Sequence, residues 1–285
     1  MTKRKGNKRL VVTADDFGLS LEVNEAVERA HREGILTSAS LMVSAPAAAD
    51  AVARASRLPR LRVGLHLALV GAVPVLPPAQ VPALIGDDGR FRVGMARYGS
   101  AIFFTPTGRR QVAAEIAAQF AAFRKTGLAL DHVDAHKHFH LHPTIAREII
   151  RHAMRYGAHF VRAPCEPVGV LAAAEARPRG LEARLIAPLA AMLAAQLRRA
   201  GLRTPDQVFG LAWSGLMTRT RLVGLLANLP EGLSEIYTHP ATSGGFPGAA
   251  AGYCYAEELA ALTAPEVAAA VAKSGAQLGG FADFY

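Results

Sequence analysis

Apolar and polar positions along the chain alternate between two rhythms. Short apolar, β-branched runs occur at 9–14, 37–45, 61–69, 128–136, 159–164, 207–213, 233–239 and 276–284, and predict strands. Between them, helical spacing of apolar residues marks 20–33, a segment starting near Pro46, and then 109–125, 143–156, 181–200, 218–228 and 265–274. Ser20 is placed to cap the first helix, and Gly34 lies just beyond its end. Pro46, Pro143 and Pro265 stand at helix starts, where the missing N–H costs nothing.

Repeated strand–helix alternation predicts an α/β fold, with a parallel sheet covered by helices. Eight strand candidates suit a (β/α) barrel, either TIM-like or distorted, with a doubly wound open sheet as the competitor. No G-x-G-x-x-G follows the first strand, which counts against nucleotide binding. Residues 1–285 are read as a single barrel domain, since α/β barrels of this size form one unit. Two stretches, 70–107 and 164–180, interrupt the alternation and are expected as loop insertions on the C-terminal rim.

Composition changes this picture only at its edges. Hydrophobic residues at 51% and charged residues at 19% exclude a disordered chain. The formal net charge is +9, but the arginines are scattered over predicted helices without a basic–aromatic stripe, so no nucleic-acid partner is expected. Attraction to an anionic membrane surface stays open. Cys165 and Cys254 are too few for a disulfide scaffold or a thiolate zinc site. The apolar run after the basic N-terminus is too short for a secretory signal, and no run reaches a membrane span. The cytoplasm is therefore the expected compartment.

Chemistry gathers at strand ends, where barrel enzymes keep their working residues. The first strand ends in Asp15 and Asp16, the third near His66, the fourth in Asp134 and His136, and the seventh in His239. Two adjacent carboxylates repel unless a cation or proton sits between them, so one would hold a metal and the other act beside it as a base. Gly64 is expected to leave room beside His66. Positions 132, 134, 136, 138, 140 and 142 share parity, which in an extended chain places them on one face. A catalytic metal needs three protein ligands, so most of these histidines would hydrogen-bond behind the ligands. His239 suits general-acid work. Asp134, His138, Arg162, Glu166 and Trp213 are assigned to substrate binding or to support of the ligands, with Tyr253 a weaker addition. One Asp and two His suit a divalent ion, and nitrogen ligands favour zinc over magnesium. The chemistry implied is metal-assisted hydrolysis of an amide or ester. No G-x-S-x-G supports a serine mechanism.

The motifs TADDFGLS (13–20), GILTSAS (34–40), GLH (64–66), DHVDAH (131–136) and THPA (238–241) together resemble the YdjC/ChbG family of carbohydrate deacetylases over most of the chain. The resemblance implies a deacetylase-type barrel. It also implies Asp16, His66 and His136 as metal ligands, Asp15 as the base and His239 as the acid. The family's usual ion is magnesium, so one divalent ion, zinc or magnesium, is expected. Within the family, VPVLPP (73–78) and AHKHFHLHP (135–143) look most like the branch associated with hopanoid biosynthesis. That likeness implies an N-acetylglucosaminyl hopanoid as the substrate, with acetate released. The apolar insertion 70–107, with Phe103 and Phe104, is compatible with a lipid-linked sugar and peripheral membrane contact. So is 181–200, with Leu181, Leu185, Leu189, Met192, Leu193 and Leu197 at helical spacing. A homodimer is a further expectation. The alternatives are another metal hydrolase, such as a phosphoesterase, and a non-catalytic sugar- or metal-binding protein.

Overall fold

The structure, a computed structural model, describes residues 7–175 and 181–285, the side chains of 181–185 excepted. The basic run at 1–6, the end of the 164–180 insertion, and the side chains of Leu181 and Leu185 lie outside the described residues. Eight parallel strands appear where the apolar runs predict them. They are β1 (Lys8–Phe17), β2 (Ser38–Leu41), β3 (Arg62–Leu67), β4 (Leu130–Ala135), β5 (Phe160–Val161), β6 (Gln207–Phe209), β7 (Gly232–Thr238) and β8 (Gln277–Leu278). The helices are α1 (Leu21–Glu33), α2 (Ala48–Ala55), α3 (Met95–Phe104), α4 (Pro106–Lys125), α5 (Pro143–Ala153), α6 (Val168–Ala174), α7 (Leu181–Arg199), α8 (Arg219–Ala227), α9 (Tyr255–Leu262) and α10 (Pro265–Ser274). Ser20 caps α1 by accepting the Val23 N–H at 3.3 Å, and Pro143 and Pro265 open α5 and α10. Sequence patterning misses α3, α6 and α9.

The strand order is β5-β4-β3-β2-β1-β7-β6. The sheet curls until its edges meet at a few backbone bonds: Val161 N–H to Arg203 C=O at 2.9 Å, Arg203 N–H to His159 C=O at 2.8 Å, and Val208 N–H to Cys165 C=O at 2.9 Å. The eighth strand does not take the eighth place in the wall. β1 pairs directly with β7, while β8 pairs only with Arg9 and Leu10 at the start of β1. The result is a distorted barrel of seven wall strands.

Strand parity sorts the core into two regions. On β1, Leu10, Val12 and Ala14 join the large core shared with the helices, whereas Val11, Thr13 and Asp15 face the interior. Inside, the residues change from apolar to polar along the strands. At their starts, Val11, Phe160 and Leu233 pack with Phe281 and Phe284 of the C-terminal turn, which plugs that end. Near their ends stand Asp15, His66, Asp134 and Tyr237. Packing therefore seals one end and leaves polar groups to the other.

The insertion after β3 is tied down by α4. The buried Glu115 carboxylate accepts the N–H of Val75 at 2.8 Å and of Leu76 at 3.0 Å. One turn away, Gln119 bonds both the N–H and the C=O of Ala68. Without Glu115 those buried amides lose their acceptor. Glu115→Ala should cost about 1–3 kcal/mol and make 70–80 the first site of proteolytic nicking. Limited proteolysis followed by mass spectrometry checks this; an unchanged digestion pattern would contradict it.

Candidate active site

Each strand end delivers one part of a polar cluster. The chain turns sharply at Asp16, whose φ is 60°, a left-handed value rare for a residue other than glycine. The turn sends the two neighbouring carboxylates to different partners. Asp16 Oδ1 accepts from His136 Nδ1 at 2.8 Å and lies 3.3 Å from His66 Nε2. Asp15 is held by both terminal nitrogens of Arg162, at 2.7 and 2.8 Å. The structure thus brings together Asp16, His66 and His136, with donor atoms all within 4.8 Å of one another. Asp15, His66 and Asp134 form a second, overlapping group.

The His66 ring is oriented from behind. Its Nδ1–H donates to Asp134 Oδ1 at 2.8 Å, while the buried Nε2 makes no hydrogen bond. An orphaned ring nitrogen aimed at a carboxylate, with a second imidazole beside it, is a donor set that fits a transition-metal cation. Burial pushes the His66 pKa down, but Asp134 and Asp16 outweigh it and hold it well above the ordinary value. Burial likewise raises Asp16, yet His136 and His66 hold it well below the usual carboxylate range. The cluster favours positive charge at this spot.

A chain of hydrogen bonds backs Asp134. His132 reaches Asp131 through Nδ1 at 3.0 Å and Ser40 through Nε2 at 2.9 Å, and the Ser40 hydroxyl donates to Asp134 at 2.8 Å. With both ring nitrogens donating, His132 is an imidazolium. Its pKa is raised accordingly: burial lowers it, and Asp131 more than compensates. The expected use of Gly64 is corrected here. A Cβ on Gly64 would stand 2.4 Å from the His132 ring, so the glycine makes room for His132 rather than for His66.

The shared-face expectation for the histidine run holds only inside β4. The strand ends at Ala135, and Lys137 (φ 53°) and His138 (φ 51°) turn left-handed, which breaks the parity. Beyond that point each ring finds its own partner. His138 Nε2 meets the Tyr237 hydroxyl at 2.9 Å, His140 Nε2–H donates to the Arg162 carbonyl at 2.7 Å, and His142 Nε2–H donates to the Gly99 carbonyl at 3.0 Å. Burial, with Arg162 adding to it, keeps the His138 pKa well below the ordinary value; burial takes His140 down to about 4.

Arg162 is buried and fully engaged. Besides Asp15 it contacts Asp134 at 2.9 Å and Glu235 at 2.7 Å, and it lies over the Tyr237 ring at 4.6 Å. Of the two roles open to it, pairing with carboxylates is the one seen. Glu166 is the anchor of the loop after β6, accepting the N–H groups of Gly210, Leu211 and Ala212 at 2.9–3.0 Å. That loop carries Trp213 to the cavity wall, where Arg221 lies 5.2 Å from its ring centre. The His239 ring faces the same cavity between the edges of Tyr237 and Tyr253, while the His239 backbone N–H donates to the buried Glu258 carboxylate. Burial raises the Glu258 pKa. Glu235, Ser40, Tyr237 and Glu258 are the members that sequence reasoning misses. A lone acid inside the apolar strand 233–239 was the available signal for Glu235.

The cavity above this cluster holds about 1130 Å³. Asp15, Asp16, His66, His136 and His239 line it beneath walls that include Met42, Val70, Leu171 and Trp213.

Fold and cluster define a distorted (β/α) barrel with an Asp–His–His donor set at its C-terminal mouth. Residues 9–273 match the model of the YdjC-like protein family, and the chain belongs to that family. It is 32% identical to a carbohydrate deacetylase of Geobacillus stearothermophilus over 96% of this chain and 97% of the relative. It is 34% identical to a human carbohydrate deacetylase, covering 95% of this chain and 89% of the relative. A crystal structure from Enterococcus faecalis V583, provisionally described as a cellobiose-phosphate cleavage protein, superposes with a TM-score of 0.75 at 26% identity, covering 98% and 99% of the two chains.

Gly64→Ala tests the packing beneath the site. The added methyl must displace His132 and break its link to Ser40, costing about 1–3 kcal/mol by overpacking. Urea unfolding measures this; a midpoint equal to wild type would contradict it.

Proposed function

We propose that the protein is a metal-dependent carbohydrate deacetylase that hydrolyses the N-acetyl amide of an amino sugar and releases acetate. The observation that carries this reading is the Asp16–His66–His136 set, with the unpartnered His66 Nε2, beside a separately held Asp15. Membership of a family whose relatives are named carbohydrate deacetylases supports it.

In this reading Asp16, His66 and His136 hold one divalent ion. When bound, such an ion supplies Lewis acidity toward the acetyl carbonyl and toward water. Two imidazoles favour zinc or another transition metal over magnesium. The remaining chemistry belongs to side chains. Arg162 fixes the plane of the Asp15 carboxylate, and each oxygen keeps a second lone pair for water. Asp15 takes the proton of the attacking water as the new C–O bond forms. His239, across the cavity, protonates the departing amine as the C–N bond breaks. Tyr237, held by His138, and Trp213 offer a hydroxyl and an aromatic face to the sugar.

For the substrate we infer an N-acetylglucosaminyl hopanoid. The likeness of 73–78 and 135–143 to the hopanoid branch supports it, as does a cavity larger than the usual ~300–1,000 Å³ ligand pocket and walled largely by apolar side chains. A phosphoesterase working on two metals would need further bridging carboxylates near the ion, and the carboxylates here are already engaged by Arg162.

Asp15→Asn should lower turnover by about 10²–10⁴-fold while metal content stays that of wild type. Acetate release and the mass of the sugar product, followed for both proteins, give the measurement. Unchanged turnover in the variant, or no loss of an acetyl unit from any N-acetylglucosaminyl substrate with metal-loaded wild type, would reject the proposal.

A further inference from the structure

The cavity mouth is flanked by apolar side chains that none of the described residues covers. On one side α3 and the loop before it expose Val93 (71%), Phe103 and Phe104 (73%), with Met95 reaching the cavity itself. On the other side Val168 and Leu189 are exposed and also line the cavity, and Met192 follows one turn along α7. Exposed apolar residues scattered singly need no explanation, but these gather around one opening.

Their charge setting is mainly basic. Residues 87–114 contain five arginines, Arg90, Arg92, Arg97, Arg109 and Arg110, against two acidic residues, the exposed Asp87 and Asp88. Arg97 is exposed on α3, and Arg109 and Arg110 are exposed near the start of α4. Arg109 lies 5.8 Å from the Phe103 ring centre, and its Nε–H donates to the Phe103 carbonyl at 2.7 Å, so cation and aromatic are presented together. His142 fixes the same helix to the site by bonding Gly99 and lying edge-on to Phe103 at 6.0 Å. The patch is therefore held rigidly beside the opening.

We infer that this rim is a docking surface for an anionic phospholipid bilayer, with Val93 and Phe104 entering the interface and Arg97, Arg109 and Arg110 meeting the headgroups. Apolar burial and basic charge are the two contributions that interfacial association needs. Each arginine near an anionic surface adds about fivefold to partitioning. The orientation sets the cavity mouth against the bilayer, so a substrate anchored in lipid reaches the polar cluster without leaving it. A second copy of this chain is a weaker occupant, because the same arginines would face one another across a two-fold interface.

The inference stands apart from the deacetylase reading, because its test measures binding and not acetate. Full-length protein would be sedimented with vesicles of phosphatidylcholine alone and of phosphatidylcholine with phosphatidylglycerol, at low and high salt. Binding to the anionic vesicles is expected, falling at least tenfold at high salt or on neutral vesicles. The double variant Val93→Ser, Phe104→Ser and the single variant Arg97→Gln should each weaken binding, about tenfold and fivefold, with an unchanged thermal midpoint. No binding, equal binding to neutral vesicles, or binding indifferent to these substitutions would overturn the inference. So would a dimer in solution that the double variant dissolves without any vesicle binding.

Discussion

One buried guanidinium organises this protein. Arg162 rises from the end of β5 and contacts carboxylates from three other strands: Asp15 of β1, Asp134 of β4 and Glu235 of β7. Burying any of these charges alone would cost several kcal/mol per ion. The cation compensates much of that cost, and the strands that meet at the barrel's polar end are thereby fixed in mutual position. Thr13, donating to Glu235 at 2.9 Å, and Ser40, donating to Asp134, complete the shell. Burial works against the charged form of Arg162, yet Asp134 and Asp15 hold its pKa well above its already high value.

The charge count around Arg162 explains the neighbouring site. One guanidinium faces three carboxylates, and Asp16 adds a fourth beside them. Against that surplus of negative charge lie ring nitrogens of His66, His132 and His136. His66 turns one nitrogen to Asp134 and leaves the other free toward Asp16. A divalent cation between Asp16, His66 and His136 would satisfy the same surplus with better geometry. The left-handed backbone at Asp16 makes this arrangement possible, because it parts two adjacent carboxylates that would otherwise share one fate.

Much of this was legible along the chain. The seven wall strands were marked by their apolar runs, because a strand buried in an α/β barrel has few polar interruptions; the exposed β8 was found only as the start of the run 276–284. The residues of the cluster stood out as polar groups ending apolar runs. What was hidden depends on distance in space. Gly64 was read against its strand neighbour His66, but the ring it accommodates comes from β4. Glu166 and Glu258 bind backbone N–H groups of distant loops, which no local pattern reveals. The histidine run was read as extended, yet two left-handed residues break it at 137 and 138. Helix α3 escaped notice because Gly99 interrupts its period and Gly94 offers no side chain to cap it, and α9 because no side chain caps it after a Gly- and Pro-rich stretch.

The account stands on a cation completing the Asp16, His66 and His136 set, and calorimetric titration of chelator-stripped protein with zinc and then with magnesium tests that most directly. One ion per chain should bind, with proton release as His136 gives up its hydrogen bond to Asp16, and His66→Ala should abolish the heat while Arg162 keeps the barrel folded. Failure of both metals to bind, or binding that survives the loss of His66, would contradict it.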